Sequence, residues 1–184
     1  MRVSVIVSTY NQPRWLELVL WGYAAQTRRD FELLVADDGS GPETAAVIAR
    51  VAAASGLAIA HVWHPDAGFR KTAIVNHAIL AAAGEYLLFV DGDCIPRADL
   101  VATHVALARP RTYLAGGAIK LPMAVSERIG VDDVRAGRAT DTVWLRTQGW
   151  RPGKYVLRLL RPGALPALFD RLTGHQAKWR GGNS

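Results

Sequence analysis

Glu85-Tyr86-Leu87-Leu88-Phe89-Val90-Asp91-Gly92-Asp93-Cys94-Ile95-Pro96 is the stretch around which the rest of the chain is organised. Tyr86 to Val90 are all apolar or aromatic, too short a run for a helix and rich in strand formers, so the pattern predicts a strand buried on both faces. It ends in two carboxylates separated by one glycine. Open α/β sheets place their ligands at the carboxyl ends of strands, and hard oxygen donors in this arrangement suit Mg²⁺ or Mn²⁺, which bind through one or two carboxylates while substrate phosphates complete the shell. Taken alone, Asp-Gly-Asp is also an ordinary turn. The upstream sequence decides between the two.

The pattern upstream is an alternation. Val3 to Val7 predicts a first strand, followed by a helix with Asn11 as its cap and Pro13 in its first turn. Phe31 to Ala36 predicts a second strand. Ser40-Gly41-Pro42-Glu43 reads as a capping box opening an alanine-rich helix that Gly56 closes. Leu57 to Trp63 predicts a third strand, and Arg70 to Ala83 a helix that returns the chain to the Tyr86 strand. Such an order gives an α/β fold with a mostly parallel central sheet and helices on both faces. A further helix is expected over Ala98 to Arg109, a short strand over Tyr113 to Ala115 and a polar amphipathic helix over Ser126 to Gly137. Residues 1–120 form the expected core, and residues 121–184 an accessory lid or lobe with a basic tail.

Composition narrows the class. The 184 residues are half hydrophobic and about a fifth charged, which excludes global disorder, and a single cysteine excludes an internal disulfide framework. The opening Met1-Arg2-Val3-Ser4-Val5-Ile6-Val7 turns polar at Ser8, short of a signal-peptide core, so a cytoplasmic protein is expected. Residues 1–149 hold 15 basic and 15 acidic side chains, so the whole net charge of +6 falls on residues 150–184, with seven basic residues against Asp170. A tail of that kind suits anionic lipid, nucleic acid or an acidic substrate.

In a parallel sheet, Ser8-Thr9-Tyr10-Asn11, Asp37-Asp38-Gly39-Ser40 and Asp91-Gly92-Asp93 share one edge. Caps and turns do not require carboxylates at two separate strand ends, where like charges repel unless a cation or hydrogen-bonding ligand is present. These segments, with Gly68-Phe69-Arg70-Lys71 and Asn76 between them, resemble in order and spacing the family 2 glycosyltransferases of the GT-A (nucleotide-diphospho-sugar transferase) fold. The resemblance covers roughly the first 120 residues; Gly181-Gly182-Asn183-Ser184 resembles the start of the acceptor-side region.

The resemblance implies a role for each matching residue. Ser8 and Tyr10 contact the base and ribose, Asp38 accepts from the uracil N3–H with Asp37 in support, and Arg70 sits near the base and diphosphate. Asp91 holds the ribose or a metal-bound water, and Asp93 ligates the Mn²⁺ or Mg²⁺ that bridges the phosphates. The cation with Arg70 or Lys71 stabilises the leaving diphosphate. The implied partners are a UDP-sugar donor and a glycan or lipid-linked acceptor, with no nucleic acid; the basic tail adds peripheral contact at the inner membrane face as an expectation, with a solvated lobe as its alternative. In inverting members the acceptor's general base lies in an acidic motif beyond the Gly-Gly-Asn-Ser segment. No residue here matches that motif, so none is assigned as base, and a silent nucleotide-sugar-binding fragment is the alternative expectation.

Other residues give weaker signals. His61, His64, His77, His104 and His175 lack metal-ligand spacing and are expected to be surface or core residues. Cys94, Trp15, Trp21 and Trp63 are expected to pack; Trp144, Trp150 and Trp179 are candidates for stacking on sugar. A receiver-like phosphoacceptor would want an acidic pair after the first strand, and a dinucleotide-binding dehydrogenase a Gly-x-Gly-x-x-Gly there; the chain has neither.

Overall fold

The computed structural model describes residues 1–153. The order of elements is β1 (Val3–Thr9), α1 (Pro13–Ala24), β2 (Phe31–Asp37), α2 (Pro42–Ser55), β3 (Ile59–Trp63), α3 (Lys71–Ala81), β4 (Tyr86–Asp91) and α4 (Leu100–Leu107), then the short helices α5 (Met123–Ser126), α6 (Val131–Arg135) and α7 (Thr142–Thr147). The strands form one parallel sheet in the order β3-β2-β1-β4.

β1 is central, and all seven of its residues are buried. Successive side chains of a strand point to opposite faces, so Val3, Val5 and Val7 enter one layer and Ile6 the other. The first layer joins them to Leu16, Leu20 and Tyr23 of α1, Val47 and Val51 of α2, and Val101 of α4. The second sets Ile6, Leu34 and Ala36 against Ile74 and Ala78 of α3. Helices therefore cover both faces of the parallel α/β sheet, as expected.

β4 departs from the expected double burial. It is the outermost strand on its side of the described sheet, so Leu88 and Val90 are buried while Leu87 and Phe89 are half-buried. Both expected helix caps are also replaced by a longer-range exchange. α1 begins after Gln12 and α2 after Gly41, neither with a side-chain cap. Instead the Asn11 amide donates to Ser40 Oγ at 2.8 Å, and the Gly41 amide donates to Asn11 Oδ1 at 3.0 Å. Asn11 adopts φ +48° to do this, a conformation that asparagine tolerates better than most residues. The exchange ties the end of β1 to the end of β2.

The third strand starts at Ile59, and α3 and α4 are shorter at both ends than expected; Tyr113 to Ala115 is not a strand. Of the helix expected over Ser126 to Gly137 only α6 forms, with α5 ending at Ser126; α6 starts after Gly130, whose amide donates to Asp133 Oδ2 at 2.9 Å. These short helices share a second hydrophobic cluster with Leu18 of α1, built on Val125, Ile129, Val134 and Leu145. Trp150 lies within it, 4% exposed, and Trp144 packs against it, which corrects Trp150 as a stacking candidate. Trp179, Gly181 to Ser184 and the tail from Lys154 onward lie outside the described residues. No helix among the described residues is long and apolar enough to cross a membrane.

Candidate functional site

Parallel register brings the strand ends together. Ser8 aligns with Asp91 on one side and Ala36 on the other, and Thr9 aligns with Asp37, which aligns with Trp63. The turn after β4 presses on β1: the Gly92 amide donates to Ser8 O at 2.7 Å, and a Cβ on Gly92 would stand 2.8 Å from that oxygen. Only glycine fits between the two acids.

Asp91 is the meeting point of three elements. Its Oδ1 accepts from Ser8 Oγ at 3.2 Å and from Lys71 Nζ at 2.5 Å, joining β1, β4 and the start of α3. Asp93 is exposed, and oxygens of Asp91 and Asp93 lie with the Cys94 sulfur within 4.8 Å of one another. Burial, with help from Asp93, pushes the Cys94 thiol up to about 12. Sulfur is also a soft donor, which Mg²⁺ and Mn²⁺ pass over in favour of oxygen. What remains is a pair of hard carboxylates, a donor set that fits Mg²⁺ or Mn²⁺ sharing its shell with phosphate oxygens.

Asp37 and Asp38 play different parts. Asp37 is fully buried, with Oδ1 accepting from the Ser40 amide at 2.9 Å and Oδ2 lying 2.9 Å from His61 Nε2. Asp38 is 4% exposed; Oδ1 lies 2.7 Å from His64 Nε2 and Oδ2 accepts from the Arg70 amide at 2.9 Å. Arg70 thus meets the site first through its backbone, and its side chain is exposed. Tyr10 is half-exposed and donates its hydroxyl to Asp66 Oδ2 at 2.9 Å. The backbone of Asp66 lies against Gly39, so the segment between β3 and α3 closes over the β2 turn.

Of the residues singled out in the sequence, Ser8, Lys71, Asp91 and Asp93 form one cluster. Asp38 with the Arg70 backbone forms a neighbouring one, and Asp37 lies behind it as a buried support. His61 and His64 lack metal-ligand spacing; the signal that finds them is their place at the end of a third parallel strand, beside the strand that carries Asp37 and leads into Asp38. Trp63, expected in the core, is 50% exposed at the same edge and donates its indole N–H to Ser40 O at 3.2 Å.

Burial alone would raise the Asp37 carboxyl, but hydrogen bonds from His61 and Ser40 outweigh it and hold the group below its ordinary value. A depressed folded value contributes stability above the unfolded carboxylate value of about 4, and that contribution is lost as pH falls through the folded value. Urea midpoints measured from pH 6 down to pH 2 should therefore fall steeply at the acid end, and less steeply in Asp37→Asn. An equal acid slope in the two proteins would contradict the assignment.

The sequence model described as glycosyl transferase family 2 matches residues 4–147. The chain is 31% identical over 122 residues to the chondroitin synthase of Escherichia coli, an alignment covering 61% of this chain and 18% of that protein. It is 32% identical over 93 residues to an uncharacterised glycosyltransferase of Nostoc sp., covering 50% and 28% respectively. Among solved structures it is similar to the mannosyltransferase PcManGT of Pyrobaculum calidifontis in complex with GDP-Man and Mn²⁺, at 30% identity and TM-score 0.55, covering 72% of this chain and 37% of that one. It is also similar to residues 1–349 of S. aureus TarS in complex with UDP, at 28% identity and TM-score 0.50, covering 58% and 31%. The chain spans less than a third of the length of both curated relatives.

Proposed function

The chain belongs to glycosyl transferase family 2, and from that membership we propose that its carboxyl edge binds a UDP-sugar with Mn²⁺ or Mg²⁺ and directs the sugar to a glycan or lipid-linked acceptor, by direct displacement with inversion. The observation that carries this reading is the cluster of Asp91, Asp93 and Lys71 at the strand edge, two carboxylates and an ammonium in reach of one another. A bound divalent cation supplies positive charge to the departing diphosphate. Lys71 and the exposed Arg70 side chain add to it from the start of α3, and Ser8 holds Asp91 in place.

The solved relatives carry different bases, GDP in one and UDP in the other. Asp38, set between His64 and the Arg70 amide, is the acceptor that this reading assigns to the uracil N3–H, with Asp37 in support. Calorimetry with UDP and GDP, in Mn²⁺ and in EDTA, tests both parts. UDP should bind more tightly than GDP and should weaken in EDTA; equal affinity with and without metal would remove the metal from the account, and a preference for GDP would overturn the base assignment.

A second reading, nucleotide-sugar binding without transfer, is favoured by what the lobe's acids do. Asp133 is engaged by the Gly130 amide and Arg138, and Asp141 caps α7 by accepting from the Val143 amide. Both carboxylates hold the lobe's own backbone and side chains, and loss of a general base costs about 10²–10⁴-fold in rate. UDP release accelerated by an acceptor would rule this reading out. Peripheral contact with an anionic membrane face belongs to the proposal through the basic tail, most of which lies outside the described residues.

A further inference from the structure

Lys71 is the first residue of α3, where a positive charge opposes the helix dipole. The helix has no acidic residue in its first turn and no side-chain cap to offset that charge. What Lys71 has is Asp91, with its ammonium 2.5 Å from the oxygen that also accepts from Ser8. Asp91 is also one of the two carboxylates suited to a divalent cation. Asp93 makes a weaker contact, accepting from the Cys94 thiol at 3.5 Å.

We propose that Lys71 is a tethered counter-cation that competes with the divalent ion for Asp91, so that metal and nucleotide bind cooperatively rather than metal first. The inference rests on the donor-site reading above and deepens it. With metal alone, two cations share one carboxylate, an unfavourable state because like charges so close repel. When the donor diphosphate arrives, Lys71 gains a second anionic partner and Asp91 is released to the metal. Coupling of this kind is reciprocal: whatever affinity the nucleotide adds to the metal, the metal adds to the nucleotide. The ion pair is partly solvated, with side chains 37% and 31% exposed, so its effect on metal affinity is moderate.

The test compares wild type, Lys71→Met, Lys71→Arg and Asp93→Asn. Mn²⁺ binding without nucleotide is followed by electron paramagnetic resonance of the free ion, and UDP binding at saturating Mn²⁺ by calorimetry. Lys71→Met should bind Mn²⁺ alone about fivefold more tightly and UDP more weakly, while Lys71→Arg stays near wild type in both. A misfolded site weakens both ligands, so opposite signs in one variant identify the exchange. Mn²⁺ affinity unchanged or weaker in Lys71→Met overturns the inference while leaving the donor site standing. Mn²⁺ binding indifferent to Asp93→Asn overturns the donor site itself, and the inference with it.

Discussion

Replacing Asp93 with asparagine is expected to weaken UDP binding in Mn²⁺ by about 30-fold, ~2 kcal/mol, and to leave the weaker binding in EDTA unchanged. Asparagine keeps the size and an oxygen of aspartate but loses the negative charge that a hard divalent ion requires. Asp93 is exposed, so the substitution leaves no buried group unpaired and the fold should tolerate it. Cys94→Ala supplies the contrast. Its sulfur is a soft donor that hard divalent ions pass over, so its removal should not change metal-dependent binding. An equal loss in Mn²⁺ and in EDTA would mean that Asp93 shapes the site without touching a metal.

The second large effect is expected at Gly39, which follows the two acids of β2. Its φ is +94°, and a Cβ built there would lie 2.5 Å from Asp66 Cα and 2.6 Å from Asp66 N. Both neighbours are backbone atoms, so no rotamer change relieves the contact. Left-handed strain costs about 1–3 kcal/mol and forced overpacking about as much again, so Gly39→Ala should destabilise the chain by ~3 kcal/mol or more in urea. Gly56→Ala is the control: φ is +68° and nothing lies within 4 Å of the added carbon, so strain alone remains. If the two variants lose equal stability, the segment carrying Asp66 does not close on the β2 turn. UDP affinity should also fall in Gly39→Ala, because that segment leads into Arg70 and Lys71.

The sequence exposed the parallel sheet for a physical reason. Each crossover helix is local, so strand, turn and helix succeed one another in an order that hydrophobic patterning can follow. Ser8, Asp37, Asp38, Asp91 and Asp93 came from that order, since parallel strands gather their carboxyl ends on one edge. Long-range choices were hidden. Asn11 and Ser40 have the chemistry of helix caps, and nothing local reveals that each satisfies the other's turn instead. The run from Tyr86 to Val90 is apolar enough for a central strand, but β1 takes the centre and β4 the side. Metal-ligand spacing is a local property that His61 and His64 lack; their partners are Asp37 and Asp38, at the end of the neighbouring strand. In sequence Trp150 has the character of an aromatic over a cleft; the helices that bury it become visible only once α6 and α7 fold against α1.

The central claim is that the ends of β1, β2 and β4 receive one metal-bound nucleoside diphosphate together. Hydrogen–deuterium exchange of the chain, with UDP alone, Mn²⁺ alone and both, tests it most directly. The account predicts strong protection only with both ligands, in peptides covering residues 8–12, 37–41, 64–72 and 91–95, with the amino ends of the strands unchanged. Protection confined to a single one of these segments, or located away from the carboxyl edge, would contradict it.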